Sequence, residues 1–282
     1  MADRVARLRS ASGADEFRDK LYLTGLGAVL AGYANVIMQL ALPPIGYGVL
    51  ESGVASGQLT RHPFKRFRTT YTYVAVAMLG TEDDRLRIRA AVDAVHRHVR
   101  SRPTSPVPYD ARDPRLQLWV AACIYYGSVD LYTRMYGVMD EITADRFYRH
   151  AARFGTTLQL PESMWPANRA EFARYWEATV ADTVIDDEVR DYLYALVLGR
   201  HLPRALRVSG RFAIWVTTGF LPQHFRDEMQ FRWSPADERR FVRFMRFVGT
   251  VERLLPLAVR RFPFNALLWD VRWRAATGRP LV

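Results

Sequence analysis

A long run without any charged residue, 21–50, constrains the fold of this chain more than any other feature. Its first part, 21–42, is long enough to cross a bilayer as a helix. Three glycines, an asparagine and a glutamine make it less apolar than a typical span, and Pro43-Pro44 ends it. We therefore expect a helix buried at the centre of the fold, with a membrane span as the alternative. The glycines would let a neighbouring helix or a flat ligand approach closely.

Elsewhere apolar residues recur at helical spacing, as in Phe67, Tyr71, Val74 and Met78, and the alternation typical of strands is nearly absent. The proline-containing connector near 101–114 is too short to divide two domains. The sequence therefore predicts an all-α fold of ten to twelve helices. We expect it to form a single-domain helical bundle over the whole chain, with allowance for flexibility in the first eighteen residues.

Residues with short polar side chains stand where several helices should begin, since such side chains accept hydrogen bonds from the first free N–H groups. Two of them precede a proline, which is favoured at the first helical position. The predicted N-caps are Thr81, Asp113, Thr143, Asn168, Asp186 and Ser234.

The chain has 282 residues and a net charge of +11, and nearly all of its cations are arginines. A partner with negative charge, nucleic acid or a membrane surface, is one interpretation. The arginines are dispersed and no nucleic-acid-binding motif is present, which favours solvated helix faces instead. One cysteine, Cys123, allows no internal disulfide, and the first twenty residues do not resemble a secretory signal. We expect a cytoplasmic protein.

Several enzyme classes lack their motif here. The chain has no phosphate-binding GxxxxGK[ST] loop, no complete dinucleotide-binding glycine pattern, no GxSxG elbow and no HExxH zinc motif. No histidine follows a glutamate by three residues, which argues against a carboxylate-bridged di-iron bundle.

Among the six histidines, His96 and His98 lie beside an apolar stripe that includes Ile88, Val92 and Val95. A neutral imidazole that faces an apolar pocket is a common axial ligand of haem iron. The stripe favours His96 over His98 only weakly. Spacing alone leaves a surface or hydrogen-bonded core histidine as the more ordinary interpretation.

Arg66 and Thr70, four residues apart, share one side of a helix and could bind a carboxylate or a charged oxygen species. The alternative is that Arg66 is exposed and that the hydroxyl of Thr70 forms a hydrogen bond with the backbone of its own helix. Glu51 follows directly after the uncharged run. Beside an apolar pocket, the pKa of its carboxyl would be raised and the side chain could act as a base. At a solvated helix end, the pKa of the carboxyl would stay near its usual value. Cys123, without nearby positive charge in the sequence, is expected to be a buried inert thiol rather than a haem ligand.

Five blocks, in this order, resemble the family of latex-clearing proteins (rubber oxygenases) and mpaB-type haem oxygenases, which includes many uncharacterised actinobacterial proteins. They are MQLALPPIGYGVLESG, RFRTTYTYVAVAMLG, AAVDAVHRHV, YDARDPRLQLWVA and FLPQHFRDEMQFRWSPADERR. The likeness covers roughly residues 20–275, and its specificity comes from the order and spacing of the blocks.

The resemblance implies an all-α bundle with a globin-like core around haem b. It implies that His96 is the proximal iron ligand, that Arg66 and Thr70 lie near the haem, and that Glu51 matches the proposed base of the rubber oxygenases. The implied function is a haem-dependent oxygenase, an oxidoreductase that uses dioxygen and an apolar, unsaturated lipid or isoprenoid substrate. Alternatives are a non-catalytic haem- or lipid-binding protein, and a helical protein with peripheral membrane contact.

The chain departs from the family pattern at two positions near these blocks. Leu42-Pro43 stands where many relatives have His-Pro, and Thr69 stands where rubber oxygenases have a lysine. We therefore expect no lysine on the distal side of the haem. The absence of an export signal makes extracellular polyisoprene a poor candidate for the substrate.

Overall fold

The computed structural model describes residues 24–54, 63–200 and 210–281. These residues form helices and no strand, apart from one isolated bridge between Arg100 and Asp110. The all-α prediction is confirmed. The helices are α1 Gly25–Leu40, α2 Pro43–Leu50, α3 Pro63–Leu79, α4 Glu82–His96, α5 Pro114–Tyr136, α6 Glu141–Ala151, α7 Arg153–Thr156, α8 Arg169–Ala181, α9 Asp187–Val197, α10 Gly210–Phe220, α11 Gln223–Glu228, α12 Pro235–Leu254, α13 Leu257–Arg260 and α14 Phe264–Ala276.

The described residues thus contain more α-helices than the ten to twelve predicted. Three of them, α7, α11 and α13, have only four to six residues. A helix of that length has too few turns to show an apolar period, so the sequence pattern does not reveal it. The predicted flexibility of the first eighteen residues falls outside the described residues.

Most predicted N-caps are confirmed. Thr81 and Ser234 each form a capping box with the aspartate three residues later, and Asp113, Asn168 and Asp186 each accept a backbone N–H of the first turn. The prediction for Thr143 is wrong. Its own N–H donates to the carboxylate of Asp140 at 2.9 Å, and Asp140 is the N-cap of α6.

The described part of the uncharged run, residues 24–50, contains α1 and α2, and the break between them comes directly before the predicted Pro43. α1 packs against α2, α5 and α10, and its residues Ala34, Ile37 and Met38 are almost fully buried. Its prediction as a helix of the protein core is therefore confirmed. No described helix alone has the length and apolar character to cross a membrane, although α1 and α2, bent by 110°, meet that test as a pair.

Two hydrophobic cores meet along α5. One contains the inner faces of α1, α9, α10 and α12, and the other contains α3, α7 and the aromatic residues of α6 and α8. Trp119 and Cys123 of α5 belong to the first core, and Ala121 and Tyr125 to the second. The boundary between the cores, with α1 and α2 on one side and α3 and α4 on the other, is where the cavities described below lie.

Gly25 permits the closest approach between α1 and the segment before α14. A Cβ atom at this position would overlap the backbone carbonyl of Phe262, which a side-chain rotation cannot relieve. The absence of a side chain at Gly25 therefore fixes the position of the start of α1 against the loop that leads into α14.

We expect Gly25→Ala to lower the free energy of unfolding by about 1–3 kcal/mol, because the backbone must shift to admit the methyl group. Gly53→Ala is the matched control, since a Cβ there meets nothing within 4 Å. Its effect should stay within about 0.5 kcal/mol. Urea denaturation measures both variants, and equal stabilities would contradict the close contact at Gly25.

Candidate functional site

Two adjoining cavities lie at the boundary between the cores. The first has a volume of about 220 Å³ and the second about 430 Å³, and both are lined mainly by apolar side chains. The second is within the size range of small-molecule pockets, roughly 300–1,000 Å³. The residues that line both cavities are Gln39, Leu40, Arg66, Thr70 and Ile124.

His96 enters the wall of the first cavity as the last residue of α4. Val92 and Val95 from the same helix line that cavity too, and Val99 reaches it from beyond the helix end. The chain then turns back through residues 99–111, where the N–H of Ala111 donates to the carbonyl of Val99 at 3.0 Å. This turn closes one side of the cavity.

The imidazole of His96 is half-buried, and its Nδ1 atom is buried without a hydrogen-bond partner in the described residues. Burial, together with the positive charge of Arg66, lowers the pKa of His96 to about 4, against smaller opposing effects of Asp93 and of a side-chain hydrogen bond with Gln159. The ring is therefore neutral near pH 7, and a neutral imidazole has a nitrogen lone pair that can bind a metal. His98 is exposed and lies outside both cavity walls.

Arg66 and Thr70 both lie on the wall that the two cavities share, one helical turn apart on α3. Burial lowers the pKa of Arg66, with a partial offset from Tyr192, but a guanidinium keeps its charge at any ordinary pH. The described structure thus has a cation and a hydroxyl at the junction of two apolar spaces. They are the groups that the polar part of a ligand at this junction would contact.

Glu51 lies next to the first cavity but does not line it. Its carboxylate accepts hydrogen bonds from the hydroxyls of Ser105 at 2.5 Å and Tyr109 at 2.7 Å, and Tyr109 itself lines the cavity. These two hydrogen bonds lower the pKa of Glu51, against the smaller effect of burial. Neither interpretation from the sequence, a raised pKa beside an apolar pocket or an ordinary pKa at a solvated helix end, matches this lowered pKa, because the carboxylate has two close donors.

Cys123 is fully buried on α5, and burial raises the pKa of its thiol. It lines neither cavity, and its predicted burial is confirmed. Within the described residues there is also no cluster of three or more His, Cys, Asp or Glu side chains that could hold a metal ion. A metal at His96 would need most of its ligands from a cofactor.

Gln39 is a candidate site residue that the sequence reasoning missed. The side-chain amide of Asn35 donates to the carbonyl of Cys123 at 2.7 Å, which leaves the Asn35 Oδ1 atom to accept from Gln39 Nε2 at 2.6 Å. Gln39 therefore has its Oε1 atom available at the junction of the cavities. Gly127 makes room for this pair, since a Cβ there would lie 2.5 Å from the Asn35 amide nitrogen.

Since Oε1 of Gln39 is an acceptor, we expect the protein to bind 1-octanol about fivefold more tightly than octyl methyl ether, because about one neutral hydrogen bond distinguishes the two ligands. Calorimetric titration of Gln39→Leu should show equal affinities for the two ligands. Gln223→Leu, on the exposed start of α11, should keep the preference for the alcohol. No preference in the wild type would contradict the assigned orientation of the amide.

The family model described as ER-bound oxygenase mpaB/B'/Rubber oxygenase, catalytic domain, matches residues 20–250. Uncharacterised proteins of Mycobacterium bovis and Mycobacterium tuberculosis are each 51% identical over 250 residues, which covers 88% of this chain and 98% of each relative. No solved structure matches the chain significantly.

The matched segment includes all the residues that line the first cavity, together with His96, Arg66, Thr70 and Glu51. The resemblance inferred from the five sequence blocks is confirmed, and the match supports an enzyme of the oxygenase class. The chain belongs to the family of mpaB-type and rubber oxygenase catalytic domains.

Proposed function

We propose that this chain is a haem b-dependent oxygenase that acts on an apolar substrate. The observation that carries the proposal is His96, whose neutral imidazole lines an apolar cavity and has a buried nitrogen without a hydrogen-bond partner. An unsatisfied buried nitrogen costs free energy unless a ligand binds it. The chain belongs to an oxygenase family, and this is why we propose an iron cofactor as that ligand.

The residues present fit haem better than a bare metal ion. A porphyrin supplies four nitrogen ligands, so one imidazole suffices to hold its iron. His96 would be that ligand. Arg66 would pair with a propionate or with negative charge that develops near the iron, and Thr70 would donate a hydrogen bond at the same place.

Haem, when bound, would supply the activation of dioxygen, which amino-acid side chains do not perform. The chain's own contribution is orientation and exclusion of water. Val92, Val95 and Val120 give the first cavity an apolar wall, in which the charge of Arg66 acts through a low dielectric. The guanidinium position is fixed by burial before any reaction, which is the condition for efficient electrostatic stabilisation.

The role of Glu51 as a base stays a prediction. Its lowered pKa favours a permanently charged carboxylate that orients Tyr109, whose hydroxyl donates to it. Tyr109 in turn has a raised pKa, from burial and from this hydrogen bond, and so keeps its proton near the cavity. We therefore propose Glu51 as a positioning residue for the Tyr109 hydroxyl.

The second cavity, which is larger than the first and has no histidine among its described lining residues, is the space in which we place the apolar substrate. It also favours one alternative function, a lipid or haem carrier without turnover. Oxygen consumption with unsaturated lipids separates the two functions, since a carrier consumes none.

Purified protein expressed with an adequate haem supply should show a Soret absorbance band and bind hemin with one haem per chain. His96→Ala should lose the band while its circular dichroism spectrum stays that of a folded helical protein. His98→Ala is the matched control, because that histidine is exposed and lies outside the cavities. The proposal fails if the wild-type protein folds but binds no hemin, or if His98→Ala alone loses the band.

A further inference from the structure

The second cavity opens to the surface through apolar side chains. Val29 of α1 and Phe64 and Phe67 of α3 line this cavity, yet they are 42%, 63% and 40% exposed to solvent. Side chains that line a cavity and also face solvent mark its mouth. A large apolar mouth is unusual for a surface that stays in water.

A second exposed apolar segment adjoins this mouth. In residues 254–262 the side chains of Leu254, Val259 and Phe262 are all more than half exposed. The segment is held beside α1 by the close contact between Gly25 and the Phe262 carbonyl, and Phe264, just after it, lines the second cavity. We call the mouth and this segment together the apolar rim.

The charges of the apolar rim all have one sign. Lys65 lies exposed between the two phenylalanines of the mouth, and Arg253, Arg260 and Arg261 flank or interrupt the segment. The sequence has no acidic residue in 63–79 or 253–264, and Glu252, which precedes the segment, is buried and accepts hydrogen bonds from Gly27 and Tyr136. Over 63–79 and 253–264 the rim therefore combines exposed apolar side chains with basic side chains and no acidic one.

We propose that the apolar rim docks on an anionic lipid bilayer, with the mouth of the second cavity turned toward the acyl chains. Apolar side chains would enter the interface, while the basic side chains would lie at the level of the anionic headgroups. The net charge of +11 on the whole chain supports the same attraction.

A second copy of the chain is a poorer occupant of this surface. In a two-fold symmetric contact the same patch faces itself, so the exposed Lys65 and Arg253 would approach their own copies, and neither 63–79 nor 253–264 has an acidic residue to face them. Lipid headgroups, in contrast, provide the negative charge that the rim lacks. The charge pattern thus selects the bilayer over self-association.

This surface gives the proposed oxygenase a route to a water-insoluble substrate. A lipid could pass from the bilayer into the second cavity without crossing water, and would then lie against Arg66 and Thr70 at the junction with the first cavity. That consequence rests on the proposed function, whereas the docking itself needs neither haem nor turnover. The two ideas can therefore fail separately.

Co-sedimentation of the full-length protein with phosphatidylcholine vesicles, with and without phosphatidylserine, tests the proposal. We expect binding to the vesicles that contain phosphatidylserine and weaker binding as salt is raised. The double variant Leu254→Ser/Phe64→Ser should bind at least about tenfold more weakly, because two apolar side chains are lost from the interface. Lys65→Gln should bind about fivefold more weakly, the usual effect of one basic residue near an anionic surface.

Matched controls lie on other elements. Val138→Ser/Ile142→Ser removes two side chains that are 87% and 67% exposed near the start of α6, and Arg239→Gln removes one exposed charge on α12. Both should bind vesicles like the wild type. The proposal is overturned if the wild type binds no vesicles, or if the controls lose as much affinity as the rim variants. Light scattering that shows a dimer dispersed by Leu254→Ser/Phe64→Ser would also overturn it, since a second copy would then cover the rim.

Discussion

The cost of burying polar groups governs the structure around the two cavities. His96, Arg66 and Gln39 all lie where apolar side chains from two hydrophobic cores would otherwise meet. A chain selected only for stability would fill such a boundary with aliphatic side chains. Instead, Nδ1 of His96 has no hydrogen-bond partner among the described residues, and the guanidinium of Arg66 has a lowered pKa. The side-chain amide of Gln39 uses its nitrogen as a donor to Asn35, which leaves its oxygen as an acceptor at the junction of the cavities. These penalties converge on one place, which is why we assign the function there.

A helix break, a helix end and one turn of the chain position these groups. The Pro43-Pro44 break turns the uncharged run back on itself, so that α1 and α2 both contribute walls to the first cavity. The end of α4 at His96 puts the imidazole at the edge of a helix, where the turn over residues 99–111 covers it. The hydrogen bonds of Tyr109 and Ser105 to Glu51 then tie that turn to the end of α2.

Local patterns in the sequence predicted the elements and part of the site. The helix starts at Thr81 and Ser234 follow from hydrogen bonds within four residues, and Arg66 and Thr70 share a wall because helical geometry puts them there. Gln39 was missed because its orientation depends on the carbonyl of Cys123, which is distant in sequence. Neither interpretation of Glu51 included its lowered pKa for the same reason, since its donors come from a loop more than fifty residues away. The globin-like arrangement, the haem and the identity of the substrate stay predictions from the family resemblance.

Location of the iron tests the central claim most directly. Crystals of the hemin-loaded protein, measured at the iron absorption edge, should give one anomalous peak in the first cavity, within bonding distance of the His96 imidazole. A peak at His98, His150 or His224, or no ordered iron in a hemin-saturated crystal, would contradict the account.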